Sequence, residues 1–334
     1  MNINTLIPTT SGLIPLKYIN KNDLIFNQKG KQIEVSKIEF TFDNSYNSYK
    51  IFLSDQEELI LSEKDRLLVT TSTLEKTNIL TVEEVFKFFK QKNIFTKLKI
   101  PLLFAPISYP SLSEDMNKVF PMCPYLFGLM IGGRLSCWEI KDILEQNGYY
   151  LNLYNSHKPP KARFTLWKDP NYIIPTEASR AHMSNYLYAP IEIRLAVLQG
   201  IIDSEAKIDK DYRVVFQVKN DPAKIEFYKS LISSFGFHVH DKYYKRRIHT
   251  GTDYICSFQS YSDNKIKLSR IESKQDKVAP YPINLLKKFK VISDVFPIKS
   301  DKHIEHIHLQ VNSELGLYLV GTTYTIVSQC NQIK

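Results

Sequence analysis

Apolar and polar residues alternate along most of the first 110 positions, the period of strands with one buried face. The run KGKQIEVSKIEFTFD, Lys29 to Asp43, does so, as does the stretch from Tyr49 to Leu61. Arg66-Leu-Leu-Val-Thr-Thr predicts a further short strand, and Ser11-Gly12 a turn. One helix interrupts them. TVEEVFKFFK, Thr81 to Lys90, has Thr81 as expected N-cap and Glu84 three residues on, a capping box. KLKIPLLFA (Lys97 to Ala105) is apolar and broken by Pro101. The Pro/Ser-rich ISYPSLSEDMN that follows reads as a linker.

From Phe120 the rhythm changes. A helix begins near Pro124 and carries LFGLMIGGR, Leu126 to Arg134. A second, Trp138 to Gln146, is stopped by Asn147-Gly148, and alternating strands follow at Tyr149–Tyr154 and Ala162–Trp167. Beyond a Pro-rich stretch lies the helix RLAVLQGIIDSEAKI, Arg194 to Ile208. Then come a strand (Tyr212–Val218), a turn at Asn220-Asp221, a helix (Pro222–Phe235) and strands at His238–Tyr244 and Asp253–Ser260. Asp221 is the expected N-cap of that helix and Gly236 its stop. Helix-then-strands, roughly twice, is a weak internal repeat and predicts α+β. From Lys290 the sequence returns to short β runs: HIEHIHLQV alternates, and Leu317-Tyr-Leu-Val and Tyr324-Thr-Ile-Val follow. Two β-rich ends around an α+β middle predict an insertion. Residues 113–285 form one domain, and 1–112 with 286–334 complete another.

The segment Arg194–Ile208 contains a local conflict. Leu195, Leu198, Ile201 and Ile202 recur at helical spacing, and Ala196, Gly200 and Ser204 are small, so a second helix can approach closely. Asp203 and Glu205 stand at its C-terminal end, where the helix dipole disfavours anions. Such conflicts mark functional sites.

Composition narrows the class. The chain has 334 residues, enough for two or three domains, and 43% hydrophobic residues, enough for a large core. Its 44 Lys+Arg against 35 Asp+Glu give a formal charge of +9, which favours an anionic partner such as nucleic acid. Cys123, Cys137, Cys256 and Cys330 form no CxxC pair and no metal spacing with the eight His, so a reduced, intracellular protein is expected. No signal peptide, no transmembrane run and no motif for a small-molecule substrate is read.

Taken together the motifs resemble an intein carrying a LAGLIDADG homing-endonuclease domain. Asn4-Thr-Leu-Ile-Pro-Thr-Thr-Ser-Gly-Leu-Ile-Pro-Leu, then Asn22-Asp23-Leu-Ile-Phe and Gly30-Lys-Gln-Ile-Glu-Val, resembles the first splicing block. LSEKDRLLVT resembles the second, and Leu317-Tyr-Leu-Val-Gly with Ile326-Val-Ser the last. Lys99-Ile-Pro-Leu into Phe120-Pro-Met-Cys-Pro-Tyr-Leu-Phe-Gly-Leu resembles the approach to the nuclease domain, and YLYAPIEIRLAVLQGIIDSE its second motif. The resemblance implies a β-domain of the Hint type, built from both chain ends, and a pseudo-twofold αββαββα domain inserted in it.

The implied chemistry has requirements that this chain meets only in part. Splicing needs a Cys or Ser at the first position, a His in the second block and a terminal His-Asn before a nucleophile. Here Met1 stands first, and a thioether takes no acyl group. Asp65 stands at the block His. The end reads Gln329-Cys330-Asn331, which aligns either with Gln329 as terminal residue and Cys330 as downstream nucleophile, or with Cys330-Asn331 as penultimate and terminal residues. A chain starting at Met1 is also expected to have no upstream segment to splice.

Cleavage in the family uses one acid at the end of each motif helix to bind divalent metal. Glu205 matches that acid in the second motif and is the expected metal ligand, with Asp203 beside it as a further catalytic acid. In the first motif Gly133 occupies the position and Arg134 follows. Mg²⁺ binding is therefore expected to be weak or absent.

DNA contact can outlive the chemistry. Lys242, Tyr244, Lys245, Arg246 and Arg247 mix basic and aromatic residues on a predicted strand and loop, and Arg213, Lys219, Arg163 and Lys168 lie on neighbouring strands. His306 and His308 share a strand face, with His303 near it, and are expected at a surface, pH-responsive or plain, with a metal site as the lesser alternative. Three readings follow: a degenerate intein-derived protein that binds double-stranded DNA; a domesticated structural or regulatory subunit that binds protein partners; and an active Mg²⁺-dependent endonuclease or nickase.

Overall fold

The computed structural model describes residues 1–41, 47–71, 77–91, 97–111, 120, 122–133, 138–146, 150–154, 163–167, 182–219, 221–245, 252–259, 266–278, 289–298, 305–313 and 315–328. The fold is α+β with antiparallel sheets. It divides into two compact units. The first comprises Met1–Ser108, Ile232–Asp241 and Asn284–Lys334, and the second Tyr109–Leu231 and Lys242–Ile283. Among the described residues no helix is long and apolar enough to cross a membrane.

In the first unit, strands from the two chain ends interleave. One sheet runs His306–Val311, Gln32–Thr41, Leu24–Phe26, Leu6–Thr9, Gly12–Pro15. The strand Gln32–Thr41 forms as predicted and buries Ile33 and Val35, but Phe40 is 60% exposed; it pairs with His306–Val311 from Thr41 opposite His306 to Ile38 opposite Leu309. A second sheet runs Leu317–Val320, Thr325–Ser328, Arg66–Thr71, Leu98–Pro101, Phe289–Pro297, Ser48–Leu53, Glu58–Ser62, with Asn78–Thr81 paired to Arg66–Thr71. Phe289–Pro297 lies between two N-terminal strands, so neither end of the chain completes the sheet alone. The tail strands Leu317–Val320 and Thr325–Ser328 are buried at every position, which explains the unbroken apolar run of the first. Helix α1 (Val82–Lys90) starts at the expected capping box. The Thr81 hydroxyl accepts from the Glu84 backbone N–H at 3.2 Å, and Glu84 Oε2 accepts from the Thr81 N–H at 2.7 Å.

The second unit holds helices α2 (Pro124–Gly132), α3 (Trp138–Gln146), α4 (Met183–Leu187), α5 (Ile191–Glu205) and α7 (Glu272–Gln275), and most of α6 (Pro222–Ser233). Two sheets accompany them. Tyr150–Tyr154 pairs with Arg163–Trp167, and a four-stranded sheet runs Lys207–Ile208, Arg213–Lys219, Thr252–Gln259, His240–Lys245. Tyr125, Leu126 and Leu129 of α2 bury against Ile140 and Leu144 of α3 and against Ile271.

Helices α2 and α5 pack backbone to backbone through the small residues read from the sequence. A Cβ on Gly128 would collide with the Val197 carbonyl oxygen, and one on Gly200 with the Tyr125 carbonyl oxygen. The contact is reciprocal: one sequence offset relates Gly128 to Gly200 and Tyr125 to Val197. One turn on, Gly132 lies against the Ser204 side chain, at the same offset again. The two helices therefore meet as equivalent partners.

Candidate functional site

The reciprocal packing brings the C-terminal ends of α2 and α5 together, and they end differently. Gly133 terminates α2 at φ 80°, its N–H donating to the Leu129 carbonyl at 3.0 Å. A left-handed terminating residue favours glycine, so the position that lacks an acid is also a helix stop. Helix α5 instead passes from Glu205 into the extended residue Ala206.

Glu205 is held by α6. The Tyr228 hydroxyl donates to Glu205 Oε2 at 2.7 Å, and Lys224 Nζ pairs with the same oxygen at 2.9 Å. The Lys224 and Glu205 side chains are only 15% and 9% exposed. Lys224 Nζ also donates to the Gly132 carbonyl at 3.4 Å, so one ammonium touches both helix ends. Lys224 and Tyr228, four residues apart, share a helix face, and the ammonium lies 5.5 Å from the Tyr228 ring centroid. The Asp221 side chain accepts from the Lys224 N–H at 3.1 Å, the expected N-cap, and fixes where α6 begins. Burial, reinforced by the Glu205 carboxylate, raises the Tyr228 hydroxyl well above its ordinary range and keeps it a donor.

These residues do not fit a divalent cation. A Mg²⁺ site asks for several oxygen ligands. Here the first motif contributes no carboxylate, and Glu205 Oε2 and the Gly132 carbonyl both face an ammonium.

Asp203 does not join Glu205. Two residues apart on a helix, their side chains diverge by about 200°. Asp203 is buried and accepts from the Tyr125 hydroxyl at 2.8 Å, the Arg270 N–H at 3.1 Å and the Ser269 hydroxyl. Burial raises its carboxyl above the usual range against these hydrogen bonds. It therefore ties the segment around residue 270 to the helix pair. Lys274 resolves the unfavourable dipole at this helix end. Its ammonium donates to the carbonyls of Ile202 (2.9 Å), Asp203 (2.6 Å) and Ala206 (3.4 Å).

The residues expected from sequence to face DNA are only partly described. Lys242, Tyr244 and Lys245 lie on the strand His240–Lys245. Lys219 and Arg163 lie on Arg213–Lys219 and Arg163–Trp167. Arg246, Arg247, Lys168 and Arg134 fall outside the described residues. Arg213 is committed elsewhere: its Nε and Nη2 pair with Asp209 and Asp211, each at 2.8 Å, fastening the turn before its own strand.

A second centre lies in the first unit. The Met1 α-ammonium is buried, 2.8 Å from Asp65 Oδ2 and 3.0 Å from the Ile307 carbonyl. Asp65 Oδ2 also accepts the Ser62 N–H at 2.7 Å, and Oδ1 lies 3.4 Å from His308 Nδ1. Burial opposes ionisation here, but the ammonium, His308 and the hydrogen bonds outweigh it and hold the carboxyl far below its usual range. His306 Nε2 is 2.8 Å from Ser48 Oγ. The histidines thus sit at an interior centre rather than on the expected surface face, because Met1, Asp65 and Ser48 pack against them. His303 lies outside the described residues, as do Gln329, Cys330 and Asn331. The strand leading to the last three places Ser328 opposite Arg66, next to Asp65.

The sequence does not single out Lys224, Tyr228 or Lys274. Only the N-cap and i,i+4 spacing of α6 hinted at the first two. No protein-family model matches the chain, and no curated protein matches it either.

Proposed function

We propose that the chain is an intein-derived, homing-endonuclease-like DNA-binding protein that performs neither protein splicing nor double-strand cleavage. The observation that carries this reading is the reciprocal α2–α5 contact, in which two motif helices meet as equivalents while only one ends in a carboxylate. The resemblance assigns DNA to the strands that follow such helices, and the formal charge of +9 suits a polyanion. At the residue 1 centre, Met1 offers no nucleophile, and an Asp65 held ionised donates no proton.

Fluorescence anisotropy with a short labelled duplex of mixed sequence tests the proposal. The expected result is binding whose affinity falls linearly on a log–log plot with salt, by about a thousandfold between roughly 50 and 200 mM. Replacing Lys242, Lys245, Arg246 and Arg247 together by alanine should flatten that slope by about 4. No affinity at low salt would sink the reading. Plasmid nicking in Mg²⁺, abolished by Glu205→Gln, would replace it with the active-nickase alternative.

A further inference from the structure

The ends of α2 and α5 have lost an acid and gained a cation. We infer that the Lys224 ammonium stands where such a motif pair would hold a divalent metal, so that the chain carries its own counter-ion in place of Mg²⁺. The inference rests on reading α2 and α5 as the two motif helices. Position supports it first: Nζ reaches the carboxylate of one helix end and the terminal carbonyl of the other.

Charge supports it next. Two acids at the helix ends would supply two negative charges for a divalent ion. With Gly133 at one position, Glu205 alone remains, and one ammonium neutralises it. A Mg²⁺ ion beside Lys224 would meet like charge at contact distance with one carboxylate to offset both. The helix ends also carry partial negative charge from unpaired carbonyls, which the same ammonium serves.

The local framework supports it last. The Asp221 cap sets the start of α6, and the start of α6 sets Lys224. Tyr228, one turn on, donates to the same Glu205 oxygen and leaves it saturated. Lys224 is therefore a positioning residue that closes the site to metal and ties α6 to both motif helices.

Terbium is a suitable probe: it is a hard cation that takes oxygen ligands, and its emission is sensitised by nearby tyrosine, here Tyr228. The full chain, Glu205→Gln, Lys224→Met and the double variant are titrated with Tb³⁺, and thermal midpoints are read with and without Mg²⁺. The wild-type chain should show no saturable emission that Glu205→Gln abolishes, and no Mg²⁺-dependent midpoint. Lys224→Met should melt lower, bind Tb³⁺ about tenfold or more tighter than wild type, and regain stability with Mg²⁺. The double variant should lose that gain.

Saturable wild-type emission removed by Glu205→Gln overturns the inference, as does a folded Lys224→Met that gains no metal. If Lys224→Met does not fold, the wild-type and Glu205→Gln titrations decide alone. None of these results depends on DNA binding, so failure of the functional reading would be seen separately.

Discussion

Lys290 shows how much one buried charge carries. Its ammonium, 3% exposed, lies 2.9 Å from Asp55 Oδ2 and 3.4 Å from Glu57 Oε2, and donates to the Thr323 carbonyl at 2.6 Å. Glu57 accepts in turn from the hydroxyls of Thr323 (2.6 Å) and Thr325 (2.7 Å). Burial works against the Asp55 charge, yet Lys290 holds its carboxyl below the usual range. Lys290→Ala strands two buried carboxylates and should cost about 3–5 kcal/mol in urea unfolding. Lys290→Met paired with Asp55→Leu and Glu57→Gln should recover most of that, because the penalty lies in the unpaired charges.

His306 belongs to the same scale. Burial, followed by the nearby ammonium, lowers its pKa to about 4. An ordinary imidazole, near 6.5, gains a proton on unfolding across the interval between the two values. The unfolded chain binds more protons there, so the stability contributed by neutral His306 is complete above pH 6.5. It is lost progressively as pH falls towards 4. Thermal midpoints read from pH 7.5 to 4 should fall in that window, and the fall should be shallower in His306→Gln.

At the scale of elements, the α2–α5 contact leaves no room for a methyl group. Gly200→Ala drives a Cβ into the Tyr125 carbonyl and should destabilise by about 1–3 kcal/mol, although alanine favours helix. At Glu192, an exposed position of the same helix, alanine and glycine variants should differ only by propensity, about 1 kcal/mol. Comparing the two in urea separates packing from propensity. Gly133→Asp would restore a carboxylate in sequence but at φ 80°, so it should cost about 1–2 kcal/mol and disturb the α2 stop. The absence of a carboxylate at residue 133 is thus coupled to how α2 ends.

At the scale of the molecule, the first unit depends on both chain ends. Phe289–Pro297 fills the gap between Leu98–Pro101 and Ser48–Leu53, and His306–Val311 edges the other sheet. Truncation after residue 283 should therefore leave residues 1–108 without native amide dispersion in NMR, rather than merely shorten the fold. Supplying 284–334 as a separate peptide should restore part of it.

Local order was legible where neighbours in sequence decide it. The capping box at Thr81 and Glu84, the Asp221 cap, the alternation of Gln32–Thr41 and the small residues of the two motif helices follow from hydrogen bonds and side-chain periods within a few residues. The interior centres were not legible. Met1, Asp65 and His308 meet across most of the chain's length, as do Lys290, Asp55 and Glu57, and no spacing rule links them. Asp203 and Glu205 are near neighbours with different roles because a helix turns one toward Ser269 and the other toward Lys224.

Sequence alone thus determined that two similar helices exist, that they can pack closely and that only one ends in a carboxylate. Only the tertiary structure decided what fills the gap. The partner of Glu205 comes from a third helix, and burial between helix ends makes Lys224 a counter-charge instead of a surface lysine.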